Sequence, residues 1–262
     1  MSTETPLLRI EQLRRSYGGV SAVSGATFDV AEGSMTALIG PNGAGKTTVF
    51  DLISGFVRPD DGAVTFSGRR ISGRSPEHIV RRGLIRSFHL TRLFRAMSVL
   101  ENLLVAGQNH PGEGLGRMFL RPLSARLRER DLRRRAGALL ERFGLEDDRN
   151  RLAGSLSGGQ SKLLELARVL MAEPRMVLLD EPFAGINPTL TNKLLLQIEE
   201  IRRQGVTVLF IEHDLDVVMT HAQHVIVMAN GAVIAAGPPD AVRRDERVLD
   251  AYLGMTATGA GE

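Results

Sequence analysis

The sequence of 262 residues has no cysteine, so no disulfide bond stabilises this fold, which fits a reducing compartment. No stretch reaches the roughly 18 consecutive apolar residues that a membrane-spanning helix requires. Residues 1–8 lack the basic start and the apolar run of a secretory signal. No internal repeat is apparent. From these absences we expect a protein of the cytoplasmic side.

The composition is that of a globular protein, with 43% apolar and 24% charged residues and no long biased tract. The length suits either one large α/β domain or such a domain with an inserted subdomain. The net charge is only +3, but basic residues gather between Arg117 and Arg135. This segment indicates either contact with lipid headgroups or nucleic acid, or a solvated helix face relieved by Glu129 and Asp131. No aromatic residues interleave with the arginines, which disfavours single-strand binding.

Apolar runs of strand length alternate with helical patterns along the chain. The predicted strands are Met35–Ile39, Met176–Leu179 and Val206–Ile211. Helical patterns follow from Lys46 to about Ser54 and from Pro188 to Arg203. This alternation predicts a parallel sheet with helices on its faces.

Residues 80–165 have a different pattern. Ser98-Val-Leu-Glu101 is a capping box that predicts a helix start. A glycine-rich loop follows at 112–116, and after it apolar residues recur at helical spacing, namely Leu132, Ala136, Leu139, Leu140 and Phe143. We therefore predict one domain with a core of about 1–80 and 166–262 and a helical insertion of about 80–165.

Asn230-Gly231 separates two apolar runs near the C-terminal end. A type I′ turn needs positive φ at both central residues, and this dipeptide is typical of it. The pattern predicts a β-hairpin.

The first chemical motif matches the P-loop pattern G-x-x-x-x-G-K-[ST], followed by a second threonine. Its residues are Gly40, Pro41, Asn42, Gly43, Ala44, Gly45, Lys46, Thr47 and Thr48. The glycines let backbone N–H groups turn toward phosphate oxygens, and the following helix presents its positive end. Lys46 would reach the β- and γ-phosphates, and Thr47 would ligate Mg²⁺. A tight strand-to-helix turn without a ligand is the structural alternative.

The predicted strand from Met176 ends in Asp180-Glu181. An acid at this strand end would lie beside the P-loop, where Asp180 would hold Mg²⁺ through water. Glu181 would polarise the attacking water as general base. An apolar run before two acids is a weak signal alone and a strong one downstream of a P-loop.

The third motif lies about twenty residues before Asp180 and consists of Leu156, Ser157, Gly158, Gly159 and Gln160. This motif resembles the signature motif of the ABC ATPase family, and the P-loop and the two acids support the same resemblance. The resemblance implies an α/β P-loop NTPase (RecA-like) core with a parallel sheet, an N-terminal antiparallel β subdomain and an inserted helical subdomain. It also implies two composite ATP sites in a head-to-tail dimer, where the signature covers the γ-phosphate held by the opposite subunit.

Further positions match the family residue by residue. His213 matches the switch histidine that contacts the γ-phosphate. A lone strand-end histidine is more often structural, but the place of His213 in the order of motifs favours the functional interpretation. Tyr17 matches the aromatic residue that stacks on adenine, or is a half-buried strand tyrosine. Ala184-Gly-Ile-Asn-Pro188 matches the D-loop, with Asn187 where many members carry Asp.

One position departs from the family pattern. His89 occupies the place of the Q-loop glutamine, which supplies an oxygen near Mg²⁺ and reports the nucleotide state to the membrane partner. Because neutral imidazole offers nitrogen to a hard cation, we hypothesise that His89 acts through water or loosens the metal contact and makes coupling pH-sensitive. The spacing His221-x-x-His224 suggests a metal pair, but no third ligand is near in sequence, which favours a solvated pair.

Longer stretches, including Ser98–Val105, Ile211–Asp214 and Ala251–Gly254, resemble the ATP-binding subunits of branched-chain amino acid importers, over nearly the whole chain. The resemblance implies ATP and Mg²⁺ as cofactors, permease subunits, a second ATPase subunit and an external solute-binding protein as partners, and a place on the cytoplasmic face of the membrane. Similar subunits serve urea and short-amide importers. A soluble ABC ATPase of DNA repair or translation, and a nucleotide-binding module without turnover, are the alternatives.

Overall fold

The computed structural model describes residues 6–87, 93–107 and 122–258. The chain divides into two compact units. Unit 1 comprises Met1–Leu84, Arg175–Phe183 and Ile198–Glu262, and unit 2 comprises Ile85–Pro174 and Ala184–Gln197. The subdomain limits near residues 80 and 165 stay a prediction about domain organisation.

The first sheet of unit 1 is antiparallel and has the order β2-β1-β4-β5. Its strands are β1 (Leu8–Tyr17), β2 (Val20–Val30), β4 (Asp61–Phe66) and β5 (Arg69–Arg70). Leu8 and Ile10 are buried while Arg9 and Glu11 between them are exposed, so one face of β1 joins the core. The predicted N-terminal antiparallel subdomain is confirmed.

The second sheet has the strand order β10-β9-β3-β8-β7-β6. Its strands are β3 (Met35–Ile39), β6 (Leu84–Arg86), β7 (Met176–Asp180), β8 (Thr207–Ile211), β9 (His224–Ala229) and β10 (Ala232–Gly237). Strand β8 pairs in parallel with both β3 and β7, and β3 pairs in parallel with β9. Every residue of β3 and β8 is buried, as in strands covered on both faces. The predicted parallel sheet is confirmed.

The hairpin between β9 and β10 forms at the predicted dipeptide. Asn230 has φ 49° and Gly231 has φ 79°, as a type I′ turn requires. Ala229 and Ala232 are paired on either side of the turn. The hairpin prediction is confirmed.

Nine helices are present in the described part of the chain. They are α1 (Lys46–Ile53), α2 (Pro76–Val80), α3 (Val99–Gly107), α4 (Pro122–Phe143), α5 (Gly158–Met171), α6 (Pro188–Arg203), α7 (Leu215–His221), α8 (Pro239–Val242) and α9 (Glu246–Thr258). A short 3₁₀ turn covers Ala153–Ser155. None of the helices in the described ranges is long and apolar enough to cross a membrane.

In unit 2, helices α3, α4 and α5 pack on one another. The predicted capping box precedes α3, since Ser98 N donates to Glu101 Oε2 at 2.7 Å and Glu101 N donates to Ser98 Oγ at 3.2 Å. At the other end of α3, a Cβ on Gly107 would lie 2.6 Å from Leu132 Cδ2. An alanine here would require the ends of the Leu132 and Met171 side chains to shift.

The basic segment is largely paired within unit 2 where its side chains are described. Arg133 and Arg134 form ion pairs with Glu129 and Asp131, and Arg135 pairs with Glu173. These intramolecular partners favour the interpretation as a solvated helix face. The structure does not describe the glycine-rich loop at 112–116, Arg117 or the side chains of Arg126 and Arg128.

Candidate functional site

Three sequence-predicted segments of unit 1 follow neighbouring parallel strands. The P-loop follows β3, Asp180 ends β7, and His213 comes shortly after β8. Because β8 pairs in parallel with both β3 and β7, the carboxyl ends of these strands lie at one edge of the sheet. The fold therefore brings together side chains that are more than 160 residues apart in sequence.

The P-loop runs closely over neighbouring backbone. A Cβ on Gly40 would lie 2.0 Å from Met228 O, and one on Gly45 would lie 2.3 Å from Ala22 O. Gly45 also has φ 96°, in the left-handed region that favours glycine. Gly45 is the N-cap of α1 and offers no side-chain acceptor, so no side chain caps the first-turn amides. These N–H groups suit an anion.

Lys46 is held over this loop. Its Nζ donates to Gly40 O at 2.7 Å and to Pro41 O at 2.9 Å, which leaves one of its three N–H donors for a phosphate oxygen. Burial lowers the pKa of the Lys46 ammonium below its ordinary value of 10.5, while the carboxylates of Glu181 and Asp180 oppose that shift. The Lys46 ammonium complements the negative charge of a phosphate, and the two carboxylates complement the positive charge of a metal ion bound to it.

Glu181 and His213 are in direct contact. His213 Nε2 lies 2.8 Å from Glu181 Oε1, and both side chains are 45% exposed, so water reaches them. The Glu181 backbone has φ 48°, a left-handed conformation uncommon for a non-glycine residue, and its N–H donates to Ile211 O at 3.0 Å. Strained backbone of this kind is found preferentially at functional sites.

Glu212 is a site residue to which the sequence interpretation gave no role. Its side chain is 5% exposed, Oε1 accepts from Phe183 N at 2.9 Å, and Oε2 accepts from His213 N at 3.1 Å. One buried carboxylate thus holds the backbone on both sides of the Glu181–His213 contact. The available signal was an acid directly after five buried strand residues, since such a position needs buried partners.

The signature residues lie in unit 2 at the start of α5. Ser157 is the N-cap, Gln160 N donates to its Oγ at 3.2 Å, and Ser157 N donates to Gln160 Oε1 at 3.1 Å. Leu156 directly precedes this N-cap. A Cβ on Gly159 would lie 2.3 Å from Leu190 Cδ2, whereas a Cβ on Gly158 would meet nothing within 4 Å. Gly158 N–H and Gly159 N–H in the first turn lack intrahelical acceptors and suit an anion.

Asn187 of the D-loop match has a local role. Its Oδ1 accepts from Leu190 N at 2.9 Å, which caps α6. An asparagine serves this cap as well as an aspartate does, which gives a physical reason for Asn where many family members carry Asp.

Tyr17 is the last residue of β1 in unit 1 and is 44% exposed to solvent. The Arg15 guanidinium lies 4.7 Å from the ring centroid, and Arg15 Nη1 also donates to Asp60 Oδ1 at 2.7 Å. The ring is therefore held from one face by a cation–π contact and remains accessible to solvent.

His89 lies outside the described residues, so the hypothesis on its metal contact and pH dependence stays a prediction. His221 Nδ1 lies 2.9 Å from Glu199 Oε1. Within the described ranges, no group of three or more His, Cys, Asp or Glu side chains is placed to hold a metal ion. The suggestion of a metal pair at His221 and His224 therefore gains no support.

The chain is similar to known proteins over most of its length. Residues 23–184 match the family model described as ABC transporter, and residues 232–254 match the model described as branched-chain amino acid ATP-binding cassette transporter. The chain is 41% identical to the high-affinity branched-chain amino acid transport ATP-binding protein BraF of Pseudomonas aeruginosa, over 95% of this chain and 98% of that protein. It is 38% identical to the probable branched-chain amino acid transport ATP-binding protein LivG of Archaeoglobus fulgidus, over 95% of each chain.

Solved structures are similar over the same range. An ATP-binding cassette of an ABC transporter in its ADP conformation is 35% identical with a TM-score of 0.82, covering 96% of this chain and all of that chain. A nucleotide-free ATP-binding cassette from an ABC transporter is 36% identical with a TM-score of 0.81, covering 94% and 98%.

Proposed function

We propose, starting from the fact that this chain belongs to the ABC transporter family, that its ATP hydrolysis powers the import of branched-chain amino acids. As a member of that family, the chain is an ATP-binding subunit and an ATPase. The observation that carries the substrate class is the match of residues 232–254 to the branched-chain model, together with 41% identity to a branched-chain amino acid transport protein over 95% of the chain. The named relatives support transport over a role in DNA repair or translation.

The P-loop residues 40–48 would bind the triphosphate of ATP. The first-turn amides of α1 and the third N–H of Lys46 supply donors aimed at phosphate oxygens. Adenine would stack on the face of the Tyr17 ring opposite Arg15.

Mg²⁺ fits the donor set at this edge of the sheet, because Thr47 offers a hydroxyl and Asp180 a carboxylate, and Mg²⁺ prefers oxygen ligands. Thr47 would hold the ion directly and Asp180 through water; His89, assigned to the same role from sequence, stays a prediction. Bound Mg²⁺ neutralises charge on the β- and γ-phosphates.

Glu181 would act as the general base. Its carboxylate is solvent-accessible and contacts His213, so a water molecule placed between Glu181 and the γ-phosphate would be oriented by both side chains. The φ of 48° at Glu181 and the two hydrogen bonds to Glu212 fix the backbone from which both side chains project.

The signature residues 156–160 would complete the site of a second ATP-binding subunit. Ser157, Gly158 and Gly159 present a hydroxyl and two amide donors at a helix N-terminus, which suits a γ-phosphate. Since each chain has one P-loop and one signature, a head-to-tail pair of identical or paralogous chains makes two composite sites.

An exposed apolar patch in unit 2 would dock a permease subunit. Phe94 is 44% exposed, Met97 36% and Leu152 56%. The β-bridge between Ser98 and Leu152, the hydrogen bond from Ala153 N to Met97 O and that from Met97 N to Phe94 O bring the backbone of these three residues together. Exposed apolar side chains gathered in this way are typical of interaction sites.

Uptake of radiolabelled leucine, isoleucine, valine and urea by cells lacking this chain tests the proposal. We expect the parent chain to restore uptake of the three amino acids but not of urea, and Lys46→Ala to restore none. Affinity purification from solubilised membranes should recover permease subunits with the parent chain. Restored urea uptake alone would refute the substrate class, and recovery without any membrane protein would refute the transport role.

A further inference from the structure

The signature helix has an acidic anchor that lies outside the signature itself. Gln160 Oε1 accepts from Ser157 N at 3.1 Å, while Gln160 Nε2 donates to Asp148 Oδ2 at 2.6 Å. Asp148 is only 9% exposed. A carboxylate accepts hydrogen bonds and donates none, so Asp148 forces the Gln160 amide to turn its Nε2 toward Asp148 and its Oε1 toward Ser157.

The second oxygen of Asp148 binds the next part of the chain. Arg151 Nη1 donates to Asp148 Oδ1, and Arg151 Nη2 donates to Ser155 O at 3.2 Å. Asp148 thus connects the first turn of α5 to the segment 149–154.

That segment is fixed to the start of α3 and to the loop before it. Leu100 N donates to Arg149 O and Val99 N to Arg151 O, both at 2.9 Å. Ala153 N donates to Met97 O at 2.9 Å and Gly154 N to Arg95 O at 3.0 Å. Because Leu152 and Met97 belong to the apolar patch, the patch and the signature motif are joined by one set of hydrogen bonds within unit 2.

We propose that Asp148 is a positioning residue for the signature motif, which fixes the Gln160 side chain and with it the first turn of α5 to the segment that carries the apolar patch. The inference rests on the proposed function in one respect, that the signature contacts ATP held by a second subunit. Without Asp148, the Gln160 amide is free to flip, and the Ser157 N–H loses its constant acceptor.

ATP-driven dimerisation of copies carrying Glu181→Gln, measured by analytical ultracentrifugation, tests the proposal. In that background we expect Asp148→Ala to weaken the dimer about tenfold, as loss of a hydrogen bond to a charged group does. Affinity of the monomer for a fluorescent ATP analogue should not change, since the P-loop is intact. Hydrogen exchange of the Ser157 amide should become faster.

A paired exchange of groups separates positioning from general loss of stability. Gln160→Glu places two carboxylates against each other and should weaken the dimer as Asp148→Ala does. The combination of Asp148→Asn with Gln160→Glu lets the amide at 148 donate to the carboxylate at 160, which still accepts from Ser157 N, and should dimerise about tenfold more tightly than Gln160→Glu alone, which has the same charge at residue 160. The matched control is Glu146→Ala, which removes only the Glu146–Arg149 ion pair of the same turn and should leave dimerisation unchanged.

The outcomes distinguish the two proposals. If the Glu181→Gln parent stays monomeric with ATP, the composite site between identical copies of this chain is wrong, and the role of Asp148 is then decided by hydrogen exchange: an unchanged rate at the Ser157 amide in Asp148→Ala refutes it. If the parent dimerises and Asp148→Ala dimerises equally well, or the paired exchange restores nothing, the role of Asp148 alone is refuted.

Discussion

Replacement of Glu212 by glutamine tests how the catalytic edge of the sheet is held together. The buried Glu212 carboxylate accepts from Phe183 N at 2.9 Å and from His213 N at 3.1 Å. Glutamine has one acceptor oxygen, so its amide group would face one of these two N–H donors without a hydrogen bond. The residue-212 side chain would then hold the backbone on only one side of the Glu181–His213 contact, at Phe183 or at His213.

The expected magnitude follows from the lost contact. A hydrogen bond to a charged group contributes about 1.5–3 kcal/mol, so we expect Glu212→Gln to lower the free energy of unfolding by about 2 kcal/mol. For a chain of this size that corresponds to a fall in Tm of roughly 4–8 °C. A shift of about 1 Å at Glu181 or His213 costs about a hundredfold in rate, so we expect kcat to fall between about ten- and a hundredfold.

Steady-state ATPase kinetics well below the Tm, with nucleotide affinity measured separately, distinguish the two effects. KM should stay within about threefold, because the ATP-binding donors of the P-loop are not touched. The control is Asp214→Ala, which removes the α7 cap next to His213 and costs about 1 kcal/mol of stability. A Glu212→Gln protein with a lowered Tm and an unchanged kcat would refute the positioning role.

The structure also decides the direction of the effect of four further substitutions. Lys46→Ala should weaken ATP binding between about ten- and a hundredfold through loss of a charged donor, and unchanged affinity by fluorescence titration would contradict the P-loop assignment. Gly45→Ala should destabilise the fold by about 1–3 kcal/mol in urea unfolding, because Gly45 has φ 96° and the added Cβ would lie 2.3 Å from Ala22 O. Gly137→Ala is the control and should stabilise the fold, because Gly137 lies in the middle of α4 and its added Cβ would meet nothing within 4 Å. Burial raises the pKa of Glu165 to about 6, against the opposing charges of Lys162 and Arg168, so the folded chain binds this proton more tightly and loses stability as pH rises from about 4.5 to 6. Glu165→Gln should therefore stabilise the fold by about 1 kcal/mol at pH 7.5, half of the roughly 2 kcal/mol to which the rise in pKa corresponds, because Glu165 is partly exposed to solvent. The stabilisation should be smaller at pH 5, and equal effects at both pH values would contradict this.

Much of the fold was predictable because its signals are local. The strand Met35–Ile39, the helix from Lys46 and the turn at Asn230-Gly231 each depend on apolar periodicity or on backbone conformations that few residues adopt. The order of strand, P-loop, acids and histidine also placed the candidate residues at one sheet edge, since parallel strands end there.

Local signals could not show which polar groups would become buried together. Glu212 was visible only as one letter between Ile211 and His213, and its bond to Phe183 N exists because β7 and β8 pair in register. Asp148 was one acid in a polar turn until the packing of unit 2 set it against Gln160.

The sequence by itself determined the chemistry of this protein, since a phosphate-binding loop needs glycines, a lysine and a threonine in a fixed order, and each is readable without a fold. The tertiary structure decided which buried carboxylates hold that chemistry in position. The physical reason is that a loop–phosphate contact involves consecutive residues, whereas the desolvated hydrogen bonds of Glu212 to Phe183 and of Asp148 to Gln160 join residues that only folding brings within 3 Å of each other.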